Sequence, residues 1–354
     1  MRVPKFGLNR HDTSSVAAYA ADVARAEYSG WDAAFLPDSQ LRRRDTYVLL
    51  ASAAQATSEI MIGPLLTNPI TRHPSVTASS ISTIAELASG RTILGLGVGD
   101  TAVRLAGLRP ARVSRLEAST RLIRSLLAGE EVDVNANRPA FLPFAQPVPI
   151  WVAAGGPRTL RMAGGVADGV FIRVGADLEN IALAVKEIRA GAEDAGRDPK
   201  EVRLGTVFHT VFHDDEEDSL LMGKSMAAGY YEYSPTLFDN IGLNWNGDSP
   251  KLLKSREAIW PDFHHAVDLI QSGQVVDFLS EAHAHAFSLL GNAQSIADQL
   301  IGLLSELYSI DITFDHVVLH PIPNPPTPDF GPDAYIERVP TEILPIVRES
   351  LTGV

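Results

Sequence analysis

The chain contains no cysteine, which excludes disulfides, a thiolate nucleophile and any Cys-ligated metal or iron–sulfur cluster. Basic residues are also scarce. Thirty Lys and Arg stand against 43 Asp and Glu, a formal charge of −13. A nucleic-acid surface needs clustered positive charge, and the short run Arg42-Arg43-Arg44 does not supply it. No apolar run approaches the roughly 18 residues of a membrane span, and the opening MRVPKFGLNRHD lacks a continuous apolar segment. The expectation is a soluble, cytoplasmic protein with no membrane or nucleic-acid partner. Three catalytic or binding signatures are missing as well: G-x-G-x-x-G after the first strand, H-E-x-x-H, and G-x-S-x-G. With no self-contained acid–base cluster in view, a bound cofactor carrying the chemistry is the natural reading.

What is present is a large apolar fraction, 45% of 354 residues, and a regular strand–helix rhythm. Thr57 to Asp100 shows it best. Ile60, Met61, Ile62, Leu65 and Leu66 suit a strand buried on both faces. Pro69 and Pro74 bracket a polar loop, and Ser75 to Ser89 is helix-compatible. Gly90 stops that helix, and Arg91 to Leu96 is again strand-like before Gly97-Val98-Gly99-Asp100. Strands are expected near residues 5, 32, 60, 92, 150, 170, 204 and 316, each but the last followed by a helix. Thr13 or Ser14 is a candidate cap for the first helix, and Glu342 to Leu351 reads as a closing helix. Eight βα units predict a single-domain (β/α)₈ TIM barrel over 1–354, with an insertion at about 230–292 after the seventh strand. In such a barrel the polar strand exits at 67–73 and 97–103 share the C-terminal rim, where ligands bind.

Several exits carry candidate chemistry. Gly155-Gly156-Pro157-Arg158-Thr159 follows a strand. Two glycines let a backbone approach a ligand, Pro suits a first helical turn, and the next amides favour an anion; an ordinary tight turn uses the same residues. Asp100 fits a general acid, a cofactor contact or a helix cap. Asp38 fits a hydrogen bond to a polar ring edge, a cap, or a salt bridge to Arg42–Arg44. His73 fits a packed loop or a ligand contact. His264-His265 and His283-Ala284-His285 lie in the inserted region, but no metal-ligand spacing is evident and no metal is expected. The aromatic residues of 230–292 fit a pocket wall, core or an interface.

Four segments together, TNPITRHP (67–74), ELASGRTILGLGVGD (86–100), Pro37-Asp38 after GWDAAFL, and WVAAGGPRTLRMAGGVADG (151–169), resemble the bacterial-luciferase-like superfamily, and within it the deazaflavin-dependent branch. The resemblance covers almost the whole chain. It implies an insertion-bearing (β/α)₈ barrel, usually a homodimer, that binds coenzyme F420, with FMN as the alternative. It implies that Asp38 contacts the ring's polar edge and that a non-prolyl cis peptide at Leu65-Leu66 backs the ring, with Thr67 and Asn68 beside it. Val98, Gly99 and Asp100 would flank the cofactor, Gly155, Gly156, Pro157, Arg158 and Thr159 would hold its phosphate, and Ala154 is a further cofactor-binding candidate. Asp38 and Asp100 are the catalytic candidates, with His264 or His265 as another proton source. Ser39 stands where several members of the branch carry His, which tilts the reading toward reduction of an activated C=C or C=N in a small molecule or modified peptide. The FMN alternative implies a monooxygenase.

Overall fold

The computed structural model describes residues 2–9, 14–134, 136–322 and 334–353. Nine strands occur among them: β1 Lys5–Asn9, β2 Ala33–Leu36, β3 Met61–Pro64, β4 Leu94–Leu96, β5 Ile150–Ala154, β6 Gly169–Ile172, β7 Arg203–Phe212, β8 Leu289–Gly291 and β9 His316–Pro321. Helices alternate with them, and the fold class is the expected (β/α)₈ barrel. No described helix is long and apolar enough to cross a membrane.

The chain divides into two compact units. One comprises Lys5–Ile172 and Glu187–Gly205; the other comprises Met1–Pro4, Arg173–Lys186 and Thr206–Val354. In the first, β1, β2 and β3 pair in parallel, as do β4, β5 and β6. Parallel bridges Ile62–Thr92 and Thr67–Leu96 join the two sets. Strands covered on both sides read as continuous apolar runs, and β2, β5 and β6 are buried at every position. Trp151 packs 4.6 Å from Phe171, ring centre to ring centre. Gly169 leaves that ring its space, since an added Cβ there would lie 2.4 Å from the indole.

The first helix, Val16–Ser29, is capped by Ser15, whose Oγ accepts from the Ala18 amide at 3.2 Å. That is one residue beyond the expected Ser14; Thr13 lies outside the described residues. At the helix end, Glu27 accepts from the amides of Ser58, Glu59 and Ile60 and so anchors the start of β3. Burial works to raise its pKa, but the three amides and Arg91 outweigh it and hold the carboxyl below its ordinary value. Glu27→Ala should therefore cost about 1–2 kcal/mol in a urea melt, the scale of lost charge-assisted hydrogen bonds at a partly solvated site. An unchanged midpoint would show that the anchor contributes nothing.

In the second unit β8 pairs in parallel with β7, and β9 flanks β7 on its other side. The strand β8 is absent from the eight expected, because Leu289-Leu290-Gly291 is too short a run to announce itself beside Phe287 and Ser288. The inserted region 230–292 carries short helices at Thr236–Asp239, Pro250–Arg256, Leu269–Val275 and Glu281–Phe287. The closing helix is Leu344–Thr352, close to expectation and preceded by wider helical turns over Ala334–Ile343. The Pro-rich stretch 323–333 lies outside the described residues.

Candidate active site

Because β2 to β5 are parallel, their C-terminal exits share one edge of the first unit. The exits are Pro37-Asp38-Ser39, Leu65 to Asn68, Gly97 to Asp100 and Gly155-Gly156. Leu65 N–H donates to Leu36 O at 2.9 Å and Asp38 N–H to Leu66 O at 3.2 Å, while Thr67 N–H donates to Gly95 O and Gly97 N–H to Thr67 O. The exit of β3 is thereby stitched to both neighbours. The Leu65–Leu66 peptide is cis, where the resemblance places it.

Asp38 is 4% exposed. Its Oδ2 accepts from Thr67 Oγ1 at 2.7 Å and from Arg72 Nε at 2.9 Å. The expected partners Arg42–Arg44 are not the ones used. Arg72 also donates to Asp45 at 2.6 Å and lies over the Tyr47 ring at 4.8 Å. Asp45 in turn caps the helix Thr46–Ala56 through the Tyr47 and Val48 amides. Burial would raise the Asp45 pKa, but the hydrogen bond from Arg72 and those two amides bring it below its ordinary value. Burial, reinforced by the Asp38 charge, pushes the Tyr47 phenol up. Arg72, Asp45 and Tyr47 were not legible as site residues; Arg72 stood inside TNPITRHP, but its partners are 27 and 34 residues away in sequence.

Asn68, 1% exposed, folds the loop: its Oδ1 accepts from the amides of Ile70 and Thr71. Arg115 holds the same loop through Pro69 O at 3.0 Å. His73 caps the helix Pro74–Leu87 by accepting from Ser75 N–H, which accounts for it as a structural residue. Ser39 Oγ is buried with no hydrogen-bond partner among the described residues.

Across the edge, Val98 is half-buried and Gly99 buried. Gly99 has φ +80°, and an added Cβ would lie 2.5 Å from Val103 and 2.9 Å from Asn68. Asp100 occupies the cap position of the short helix Thr101–Leu105 but makes no capping hydrogen bond; its carboxylate pairs with Arg104. Its side chain is 37% exposed. Gly156 precedes the helix Pro157–Val166, with Ala154 buried behind it and Gly155, Arg158 and Thr159 at least partly exposed. A Cβ added at Gly156 would meet nothing within 4 Å, so the space before this helix is open.

A family model described as "Luciferase-like monooxygenase" matches residues 3–307. The chain belongs to that family. It is 38% identical over 206 residues to the 5,10-methylenetetrahydromethanopterin reductase of Methanolobus tindarius, a match covering 56% of this chain and 62% of that protein. The match to the Methanopyrus kandleri protein of the same name is 29% identical and covers 92% and 93% of the two chains. The solved coenzyme F420-dependent tetrahydromethanopterin reductase of Methanopyrus kandleri superimposes with a TM-score of 0.72 at 24% identity, over 97% of this chain and 99% of that one. At that identity the likeness speaks for the fold.

The second unit holds the other described histidines. The rings of His264 and His265 lie 4.0 Å apart at a tilt of 41°, and His264 lies 6.1 Å from His209, ring centre to ring centre. Asp262 accepts from His265 at 2.9 Å. Burial, aided by the charge of His265, lowers the His264 pKa to about 3. Burial also drives His209 well below its ordinary value, with His320 and Arg173 adding to the effect. The pair His283 and His285 does not join them: His283 bonds Ser280 and the Asn244 carbonyl, and His285 approaches Gln299. His209 and Arg173 were not singled out in the sequence, because each lies in or beside an apolar strand with no motif around it.

Proposed function

We propose that the chain is an F420-dependent oxidoreductase that reduces an activated C=C or C=N bond of a small molecule or modified peptide. The observation that carries this reading is the match, over nine-tenths of both chains, to a methylenetetrahydromethanopterin reductase, together with an undamaged rim. The rim residues suit the cofactor: the space before Gly156 is open, and Ser39 Oγ is a buried hydroxyl without a protein partner.

In this reading, Gly155, Gly156, Arg158 and Thr159 hold the phosphate, with Pro157 shaping the turn. An anion there gains from the helix N-terminus and from the Arg158 charge. Asp38, locked by Arg72 and Thr67, presents a fixed carboxylate edge to the ring, and Leu65, Leu66 and Val98 wall it. When bound, the reduced deazaflavin supplies a hydride. Reduction of the acceptor would also need one proton, which a residue at the rim or a water would supply. Asp100 flanks the cofactor. Proton donation by a carboxylic acid near neutrality needs burial, which a 37% exposed side chain paired with Arg104 lacks. Asp100→Asn should therefore leave turnover within about threefold; a loss on the order of 100-fold would restore the acid role. Gly99→Ala should weaken F420 binding about tenfold or more, since the new methyl strains a positive φ and presses on Asn68. Equal affinity in fluorescence titrations would remove Gly99 from the site.

The deciding experiment is equilibrium binding of oxidised F420 and of FMN side by side. Tight F420 binding alone supports the proposal. Tight FMN binding alone, with O₂ consumption, favours the second reading, a monooxygenase, which the description of the matched family supports.

A further inference from the structure

Arg173 directly follows β6 and is half-buried, yet among the described residues it forms no hydrogen bond and no ion pair. A cation withdrawn from water without a counter-charge is costly, and native proteins pair such groups. Its surroundings hold buried ring nitrogens as well. His209, on β7, is 5% exposed and its Nδ1 has no hydrogen-bond partner among the described residues. The His209 ring lies 5.2 Å from that of His320 and 6.1 Å from that of His264. Nδ1 of His264 is buried and lies 3.3 Å from Asp262 Oδ1, outside hydrogen-bond geometry. Arg173 acts electrostatically on both His209 and His264.

Among the described residues, Asp262, the carboxylate bonded to this histidine group, is already used. It accepts from the His265 ring at 2.9 Å, the His265 amide at 2.9 Å and Tyr233 Oη at 3.2 Å. Buried imidazoles beside a guanidinium with no counter-charge among the described residues, with Asp262 already engaged by His265 and Tyr233, have the chemistry of an anion site. Neutral imidazoles suit it, since each donates one N–H without adding charge.

We infer that Arg173, with His209 and His264, forms a subsite for an anionic group of the substrate, a carboxylate or a phosphate. Calling that anion part of the substrate rests on the oxidoreductase reading; the binding of the anion does not. The loop at Gly155–Thr159 is a separate anion candidate, so the test removes it first. In an Arg158→Met background, inorganic phosphate and acetate are titrated by calorimetry and by shift in melting temperature. One anion is expected to bind, and Arg158→Met/Arg173→Met should weaken it at least tenfold, with Arg158→Met/Arg173→Lys between the two. The preference between phosphate and acetate identifies the group. The Arg173→Met change removes an uncompensated charge, so the double variant should melt at or above the temperature of its Arg158→Met parent without anion. Should it unfold, the Lys variant carries the comparison.

Undiminished binding in the double variant overturns the inference, as does failure of the Arg158→Met protein to bind either anion. One-to-one zinc binding without anion binding also overturns it, since Asp262, His264 and His265 place ligand-type atoms within 4.8 Å of one another. F420 titration of the same preparations keeps the two readings apart. Anion binding without F420 binding removes the cofactor assignment and leaves the subsite, and the converse removes the subsite alone.

Discussion

Acidification should destabilise this protein well before its carboxylates protonate, and replacing two histidines should blunt that loss. His264, with its pKa lowered to about 3 from an ordinary 6.5, and His209, also well below 6.5, are neutral in the folded state. Burial is the main cause in both. The groups facing His264 are His265, Asp262, Arg173 and Lys254, and those facing His209 are His320, Arg173, His264 and His265. The unfolded chain takes up protons at these rings near the ordinary value, whereas the folded chain does not. Their contribution is therefore fully present above pH 6.5 and is lost as pH falls from there toward about 3. Asp262 shifts the other way relative to its charge. Burial raises its pKa, but His264 and His265 outweigh that and hold it below the ordinary 3.8, so its share is lost only at lower pH still. Urea midpoints should fall steeply from neutral pH to about pH 4 in the native protein, and less in His264→Gln and His209→Gln. The double variant should have the flattest profile. Parallel profiles for native protein and double variant would refute the assignment.

The second large effect is expected at Asp38. Asp38→Ala removes one of the two carboxylates that hold Arg72 and leaves Thr67 Oγ1, in a residue fully buried, without its acceptor. Arg72 keeps Asp45, which limits the damage to about 3 kcal/mol, the lower end of the cost of breaking a buried pair. Asp38→Asn keeps an acceptor oxygen and the shape of the side chain, so its stability loss should be smaller while F420 affinity still falls about tenfold, one hydrogen bond's worth at a charged group. The two readouts separate the roles. Loss of stability without loss of affinity would make Asp38 a structural anchor of the TNPITRHP loop. Loss of affinity in the Asn variant, with the fold intact by circular dichroism, would place its carboxylate against the ligand.

The barrel's rhythm was legible in the sequence because each βα unit states itself locally. Apolar runs such as IWVAA, glycines at helix ends and polar exits are all read within about ten residues. The cis peptide at Leu65–Leu66 was anticipated from the TNPITRHP resemblance. The strand β8 was not, since three residues carry no periodicity. Tertiary structure alone decided which charges meet at the rim: Asp38 with Arg72 rather than Arg42–Arg44. It also decided that His209, His264 and His265 cluster while His283 and His285 do not, and that Arg173 has no counter-charge among the described residues. Local propensity depends on neighbours along the chain, whereas ion pairing and burial depend on neighbours in space, and these stand tens of residues apart in the sequence.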